Sequence, residues 1–213
     1  MWHALRRRWL ARRLKDPAFA FLFEPWDGGE LVSIDCETTG LDARRCELLS
    51  VGAVRVAGER IRTSERLELM VRPEGGITAE LIKVHHIRPT DVARALPPEE
   101  AMRQVLRFIG PRPLLGYFVA FDAAVLERYA RPLLGCGLPN RRVEVSRLYY
   151  DWRSRQLPQG ANIDLGFETI RRTLDLPPHA AHDASGDALM AAMMYLRLKG
   201  NWTPPGGSGN RPS

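Results

Sequence analysis

Asp35 and Glu37 lie two positions apart in Leu31-Val32-Ser33-Ile34-Asp35-Cys36-Glu37-Thr38-Thr39-Gly40-Leu41. The stretch opens as an apolar, β-branched run and stops at a glycine, which predicts a buried strand. Side chains alternate faces along a strand, so both carboxylates project to the same side. Two acids crowded at the end of a buried strand repel each other and resist desolvation. Such a pair persists with raised pKa values or with a cation between its oxygens. The alternative is that both are solvated where the strand runs out.

Further acids fall where the chain pattern brings them toward that strand end. Asp122 follows Gly116-Tyr117-Phe118-Val119-Ala120-Phe121, where a strand gives way to a helix. In open α/β sheets, ligand sites lie beyond the carboxyl ends of strands, although a helix cap would also use an Asp there. His182-Asp183-Ala184-Ser185-Gly186-Asp187-Ala188-Leu189 puts a histidine on a loop and Asp187 at the start of an apolar helix. Asp187, Asp183 or Ser185 could equally serve that helix's N-terminus, and His182 could be an ordinary surface residue.

Positioning these groups needs a particular order of elements. Residues 1–24 read as a basic amphipathic helix, with Trp2, Leu5, Trp9 and Leu10 at helical spacing, ended by Asp16-Pro17. Phe19, Phe21, Phe23 and Trp26 follow and should pack this arm onto the domain. Strands over 47–56 and 65–71, with a turn at Gly58-Glu59, continue the first strand as an antiparallel meander. Helices are expected over 78–87, 98–109, 121–134, 165–174 and 185–198, and short strands over 113–119 and 143–149. A meander followed by strands alternating with helices implies an α/β fold, a mixed sheet with helices on both faces. The division is an arm over 1–27, a main domain over 28–200 and a disordered tail over 201–213, rich in Pro, Gly and Ser.

Composition narrows the function classes. The 213 residues can bury one sizeable core, and 45% hydrophobic with 26% charged residues is a globular balance. No apolar run approaches the ~18 residues of a membrane span, and arginines interrupt any apolar core of a secretion signal. Cys36, Cys46 and Cys136 are odd in number and form no C-x-x-C pair, which fits a reducing, cytoplasmic setting. The net charge is +6, yet Arg6, Arg7, Arg8, Arg12, Arg13 and Lys15 all fall in the first 15 residues. Without them the basic and acidic counts balance, so the main domain has no general positive field with which to hold a phosphate backbone.

Taken together, Asp35-x-Glu37-Thr38-Thr39-Gly40-Leu41, Phe121-Asp122 and His182-x-Ala184-x-x-Asp187 resemble the three exonuclease motifs of the DnaQ-like 3′–5′ exonucleases. This is the superfamily of the proofreading (epsilon) subunit of bacterial DNA polymerase III, and the match is to its histidine-containing DEDDh branch. The tyrosine branch has its Tyr four positions before the last Asp, where this chain has Asp183. The likeness runs from about residue 31 to 198. It implies a ribonuclease H-like fold with a five-stranded mixed sheet flanked by helices. It further implies that Asp35, Glu37, Asp122 and Asp187 hold two divalent cations, Mg²⁺ or Mn²⁺, with His182 as general base. Thr38, Thr39, Gly40, Leu41, His85 and Phe121 match substrate-side positions, Leu41 as an apolar wedge against the terminal base. Gly40 and Leu41 could instead be turn and core residues, and Phe121 is expected to pack beneath Asp122. The chain departs from its relatives at Tyr117 and Phe118, which replace a usual His-Asn and are expected in the core, with stacking on a base as the alternative, and at His86, which replaces a Gly.

Phosphodiester hydrolysis needs an activated water and relief of charge on the departing 3′ oxygen. Two hard cations ~4 Å apart provide both, and an imidazole taking the proton is typically worth ~10²–10⁴-fold. Bound cations would also give a charge-balanced domain its hold on phosphate. The expected function is therefore a metal-dependent 3′–5′ exonuclease acting on nucleic acid, DNA before RNA, at single-stranded or frayed 3′ ends, to release 5′-mononucleotides. With no recognisable clamp-binding motif, a free-standing nuclease in repair or turnover is expected rather than a dedicated proofreader. The alternatives are an RNA 3′-end trimmer, or a non-catalytic module whose basic arm binds nucleic acid, an acidic protein or anionic lipid.

Overall fold

Asp35 and Glu37 lie on the middle strand of a five-stranded sheet. The computed structural model describes residues 2–75, 95–178 and 183–200. Its strands are β1 (Glu30–Thr38), β2 (Leu48–Ala57), β3 (Arg60–Met70), β4 (Leu114–Gly116) and β5 (Arg142–Glu144), in the order β3-β2-β1-β4-β5. β1, β2 and β3 form the expected antiparallel meander, and β4 and β5 run parallel to β1. The β2–β3 hairpin closes through Gly58-Glu59, where Gly58 takes φ +60°, a conformation that favours glycine in two-residue turns. β3 starts at Arg60, earlier than the apolar pattern suggests. As an edge strand it carries charge along its length, including an Arg55–Glu65 pair at 2.7 Å reaching across from β2.

The helices are α1 (Trp2–Ala11), a 3₁₀ segment (Pro17–Phe23), α2 (Pro98–Ile109), α3 (Val119–Leu134), α4 (Val145–Arg153), α5 (Phe167–Thr173) and α6 (Ala184–Lys199). The strand expected over 143–149 is corrected: pairing stops at Glu144 and the rest is helical. The Glu144 carboxylate accepts hydrogen bonds from the Ser146 N–H (3.2 Å) and hydroxyl (2.9 Å) and so starts α4. Val145, Tyr149 and Trp152 then pack inward at helical spacing, which a short aromatic run disguises as strand. The helix expected over 78–87 and the tail over 201–213 lie outside the described residues.

Alternation along β1 divides the molecule into two layers. Val32, Ile34 and Cys36 face a core built with α2 and α3, while Leu31 faces a second core with α4, α5 and α6. Asp35 and Glu37 share the face of Leu31, so α6 is the helix nearest to them. The arm joins the first core. Phe19 (1% exposed), Leu22 and Leu10 are buried there, and the Lys15 N–H donates to the Leu134 carbonyl at 2.9 Å. Of the apolar positions described on α1, Leu10 alone is buried, while Leu5 and Trp9 stand exposed. The aromatic segment, as expected, fastens the arm.

One glycine sets how closely α6 approaches. Gly52 pairs with Asp35 across the β1–β2 ladder, and a Cβ there would collide with the backbone of Ala184 and Ser185 at the start of α6. Elsewhere in a strand, Gly→Ala stabilises when the conformation permits it. Here the added methyl must push α6 off the sheet, an overpacking cost of ~1–3 kcal/mol. Gly52→Ala should lower the melting temperature by about 2–10 °C in thermal denaturation. An unchanged or higher melting temperature would show that α6 does not rest on this position.

Candidate active site

The acid cluster assembles from three elements at the carboxyl end of β1. Glu37 is buried and Asp35 half-buried, both on the α6 side. Asp187 lies in the first turn of α6, but that helix is capped by Asp183, whose carboxylate accepts from the Ser185 and Gly186 N–H groups at 3.3 Å each. The Ser33 hydroxyl donates to the Ala188 carbonyl at 2.7 Å in a buried bond, fixing α6 beside β1 one residue past Asp187. As a result, carboxylate oxygens of Asp35, Glu37 and Asp187 all lie within 4.8 Å of one another.

Asp122 reaches the cluster from the opposite layer. It is 4% exposed, in the first turn of α3, and accepts a hydrogen bond from the Cys36 N–H at 3.1 Å. It does not cap its own helix. That role belongs to Glu144 at the end of β5, whose two oxygens accept from the Phe118 (2.9 Å) and Val119 (3.0 Å) N–H groups. Asp122 thus stands beside the other three acids rather than among them.

The electrostatics follow from this crowding. Burial pushes the Asp122 carboxyl up to about 7, partly opposed by its hydrogen bonds from backbone and the Cys36 thiol, with Glu144 adding to the rise. Asp35 is held well above the usual carboxylate range by burial first, then by Asp122, Asp187, Glu37 and Asp183. Burial likewise raises the Cys36 thiol, keeping it protonated and unreactive. Converging hard oxygen donors with raised proton affinity fit Mg²⁺ or Mn²⁺, because a divalent cation removes the repulsion that otherwise retains a proton.

The loop after β1 is held rigidly. The β1–β2 register shifts between Glu37 and Thr38, a bulge that ends pairing next to the acids. The Thr38 hydroxyl donates to the Gly40 carbonyl at 2.8 Å. Thr39 is paired to Glu47 twice, through its N–H to the carbonyl (2.9 Å) and by its hydroxyl accepting the Glu47 N–H (2.8 Å). Leu41 follows at 94% exposure, so it is not a core residue. Phe121 packs against the α2–α3 core, and Tyr117 is partly buried, its hydroxyl donating to the Leu165 carbonyl at 2.9 Å. Phe118 contradicts the expectation of burial: it is 59% exposed, because α3 starts at Val119 and makes it the cap residue. His182 and His85 lie outside the described residues. An open cleft of about 960 Å³, lined by Trp26, Trp152 and Tyr195, sits at the opposite end of β1 beside Glu30 and Leu31.

Residue spacing did not single out Ser33, Gly52 or Glu144. Of these Gly52 carries a signal, since a glycine inside an apolar strand marks close backbone approach.

The exonuclease (RNase_T) family matches residues 32–195. The chain belongs to the exonuclease family. It is 25% identical over 173 residues to the DNA polymerase III subunit epsilon of Aquifex aeolicus, covering 80% of each chain. It is 32% identical over 100 residues to RNA exonuclease 4 of Kluyveromyces lactis, covering 46% of this chain and 32% of that one. Among solved structures, E. coli Exonuclease I in complex with a dT13 oligonucleotide superposes with a TM-score of 0.66 at 17% identity, over 81% of this chain and 41% of that one. That likeness concerns the fold, which is ribonuclease H-like as the resemblance implied. No helix among the described residues is long and apolar enough to cross a membrane.

The raised acids of this exonuclease-family chain give its stability a particular pH dependence. Asp35 and Asp122 bind protons more tightly folded than unfolded. Their contribution is therefore present below about pH 4 and is lost as pH rises, through about 7 for Asp122. For Asp122 this loss is on the order of 4 kcal/mol. The melting temperature of EDTA-treated protein should fall between pH 5 and pH 8, and Mg²⁺ or Mn²⁺ should restore it far more at pH 8 than at pH 5. Equal cation effects at the two pH values would show that the acids do not share a cation.

Proposed function

We propose that this chain is a divalent-metal-dependent 3′–5′ exonuclease of the DEDDh type, which removes 5′-mononucleotides from single-stranded or frayed DNA ends. The observation that carries this reading is the meeting of Asp35, Glu37 and Asp187 oxygens within 4.8 Å, with buried Asp122 beside them. Those four acids would hold two cations, Mg²⁺ or Mn²⁺. Bound there, the cations supply charge for the scissile phosphate and acidity for the attacking water. The chain's own residues do the rest. Leu41, on the loop locked by Thr38 and Thr39, meets the terminal base, with Gly40 letting the strand come close to the backbone. His182, five positions before Asp187, takes the proton of the attacking water, and His85 is assigned a contact with the nucleotide.

Preference for DNA is supported by the epsilon relative and by the oligonucleotide complex of the structural neighbour. RNA 3′-end trimming is the second reading, favoured by the similarity to RNA exonuclease 4. Residues 28–200 form the catalytic unit. On the arm, exposed Arg8, Arg12 and Arg13 beside Leu5 and Trp9 offer a contact for nucleic acid or an acidic protein. The three buried, unpaired cysteines fit a cytoplasmic setting.

Incubation with Mg²⁺ or Mn²⁺ and 5′-labelled single-stranded DNA, duplex DNA and RNA should give stepwise shortening from the 3′ end, fastest on single-stranded DNA and abolished by EDTA. Asp187→Asn should lose more than the ~10–100-fold typical of disturbing an outer partner of a metal ligand. Full turnover by a folded Asp187→Asn protein would sink the proposal. Separately, His182→Ala should lower kcat by ~10²–10⁴-fold near neutral pH and flatten the pH–rate profile, while the cation-dependent rise in melting temperature persists. An unaltered profile would remove His182 from the role of base.

A further inference from the structure

Few large apolar side chains stand exposed among the described residues: Leu5, Trp9, Leu41, Phe118 and Tyr150. Leu5 and Trp9 belong to the arm and Tyr150 to α4. Leu41 and Phe118 remain, and each lies on a segment that delivers site acids, Leu41 four positions after Glu37 and Phe118 four before Asp122. β4 leaves the sheet at Gly116 alongside Ile34, the residue before Asp35, so the chain emerges at Phe118 beside the acid cluster.

The backbone at Phe118 is unusual. It takes φ 56° and ψ 33°, the left-handed region, where Asn and Gly are at ease and an aromatic residue is strained. The strain is held in place from several sides. Glu144 accepts from both the Phe118 and Val119 N–H groups. The Tyr117 ring lies 4.4 Å from the Phe118 ring and is itself braced by Phe167 at 5.1 Å and by the Leu165 carbonyl. Local strain that the surroundings maintain, around a ring that touches Tyr117 yet stays 59% exposed, points to use by a ligand.

We propose that Phe118 is a stacking platform for an unpaired base of the substrate strand; this deepens the nuclease reading and rests on it. An exposed ring stacks on any base face, so the contact selects for single-strandedness rather than sequence. A paired and stacked base has no free face to offer such a ring, so a duplex end would have to fray first. The same ring explains how the site grips a strand although the domain outside the arm carries balanced charge.

The test is a cycle between this side chain and single bases. Binding of 5′-labelled single strands is followed by fluorescence anisotropy in Ca²⁺, with abasic sites placed singly at each of the last four nucleotides. In the wild-type protein one abasic position should weaken binding by about 10-fold. Phe118→Ala should weaken the intact strand by a similar factor and no longer respond to that abasic position, whereas Phe118→Trp should keep the response. Phe118→Asn should melt at or above the wild-type temperature while binding more weakly, a combination that a purely structural ring would not give. The proposal is overturned if Phe118→Ala keeps wild-type affinity and the wild-type abasic profile, or if Phe118→Asn melts well below wild type. Turnover in Mg²⁺ reports on the nuclease reading separately: Phe118-dependent binding without hydrolysis would leave the platform and remove the nuclease.

Discussion

Repulsion between carboxylates at one strand end is the constraint on which the rest of this structure depends. Asp35 and Glu37 share a face because β1 alternates, and Asp187 is pressed against them because Gly52 has no side chain and Ser33 ties the Ala188 carbonyl. Asp122 comes from the other layer, anchored on the Cys36 N–H. The placements of Asp35 and Asp122 are electrostatically costly in a cation-free protein at neutral pH. Burial on both faces of the sheet, from Ile34, Met102 and Leu126 on one side to Leu115, Ile170 and Met194 on the other, supplies the free energy that holds the acids together.

Helix capping is kept separate from the chemistry. Acids at helix N-termini usually stabilise the helix, and both Asp122 and Asp187 sit in first turns. Neither is used as a cap. Asp183 serves α6, and Glu144 serves α3 and α4 with a single carboxylate. Each cap contributes ~0.5–2 kcal/mol, less than the several kcal/mol by which burial raises the proton affinity of Asp122. Caps therefore orient the acids; they do not offset the repulsion, which is left for bound cations to neutralise.

Much of this was legible in residue order. The meander, the mixed sheet and the helix carrying Asp122 follow from strand alternation and hydrophobic periodicity, whereas the convergence of the acids was implied by the resemblance to the exonuclease motifs. Residues 143–149 read as a strand because Val143, Val145 and Tyr149 are β-branched or aromatic, and the capping acid that ends the strand looks like any other glutamate. Phe118 was misread as core because aromatic character indicates burial on average, while its exposure is decided by where α3 begins, a question of hydrogen bonding at Glu144. Gly52 and Ser33 act through contacts with residues more than a hundred positions away, which no local pattern encodes. For Asp122 and Asp187, pattern alone could not choose between cap and site; the choice was made by Glu144 and Asp183 taking the capping roles.

The division of the acids among β1, α3 and α6 also bears on the order in which the protein becomes competent. In chain order Asp35 and Glu37 come before Asp122, and Asp187 follows in the last described helix. Until α6 docks over Gly52, the ribosome-bound chain has neither a closed second core nor a full set of cation-binding oxygens. The set of oxygens able to share a cation is therefore complete only once the last of these three elements has docked.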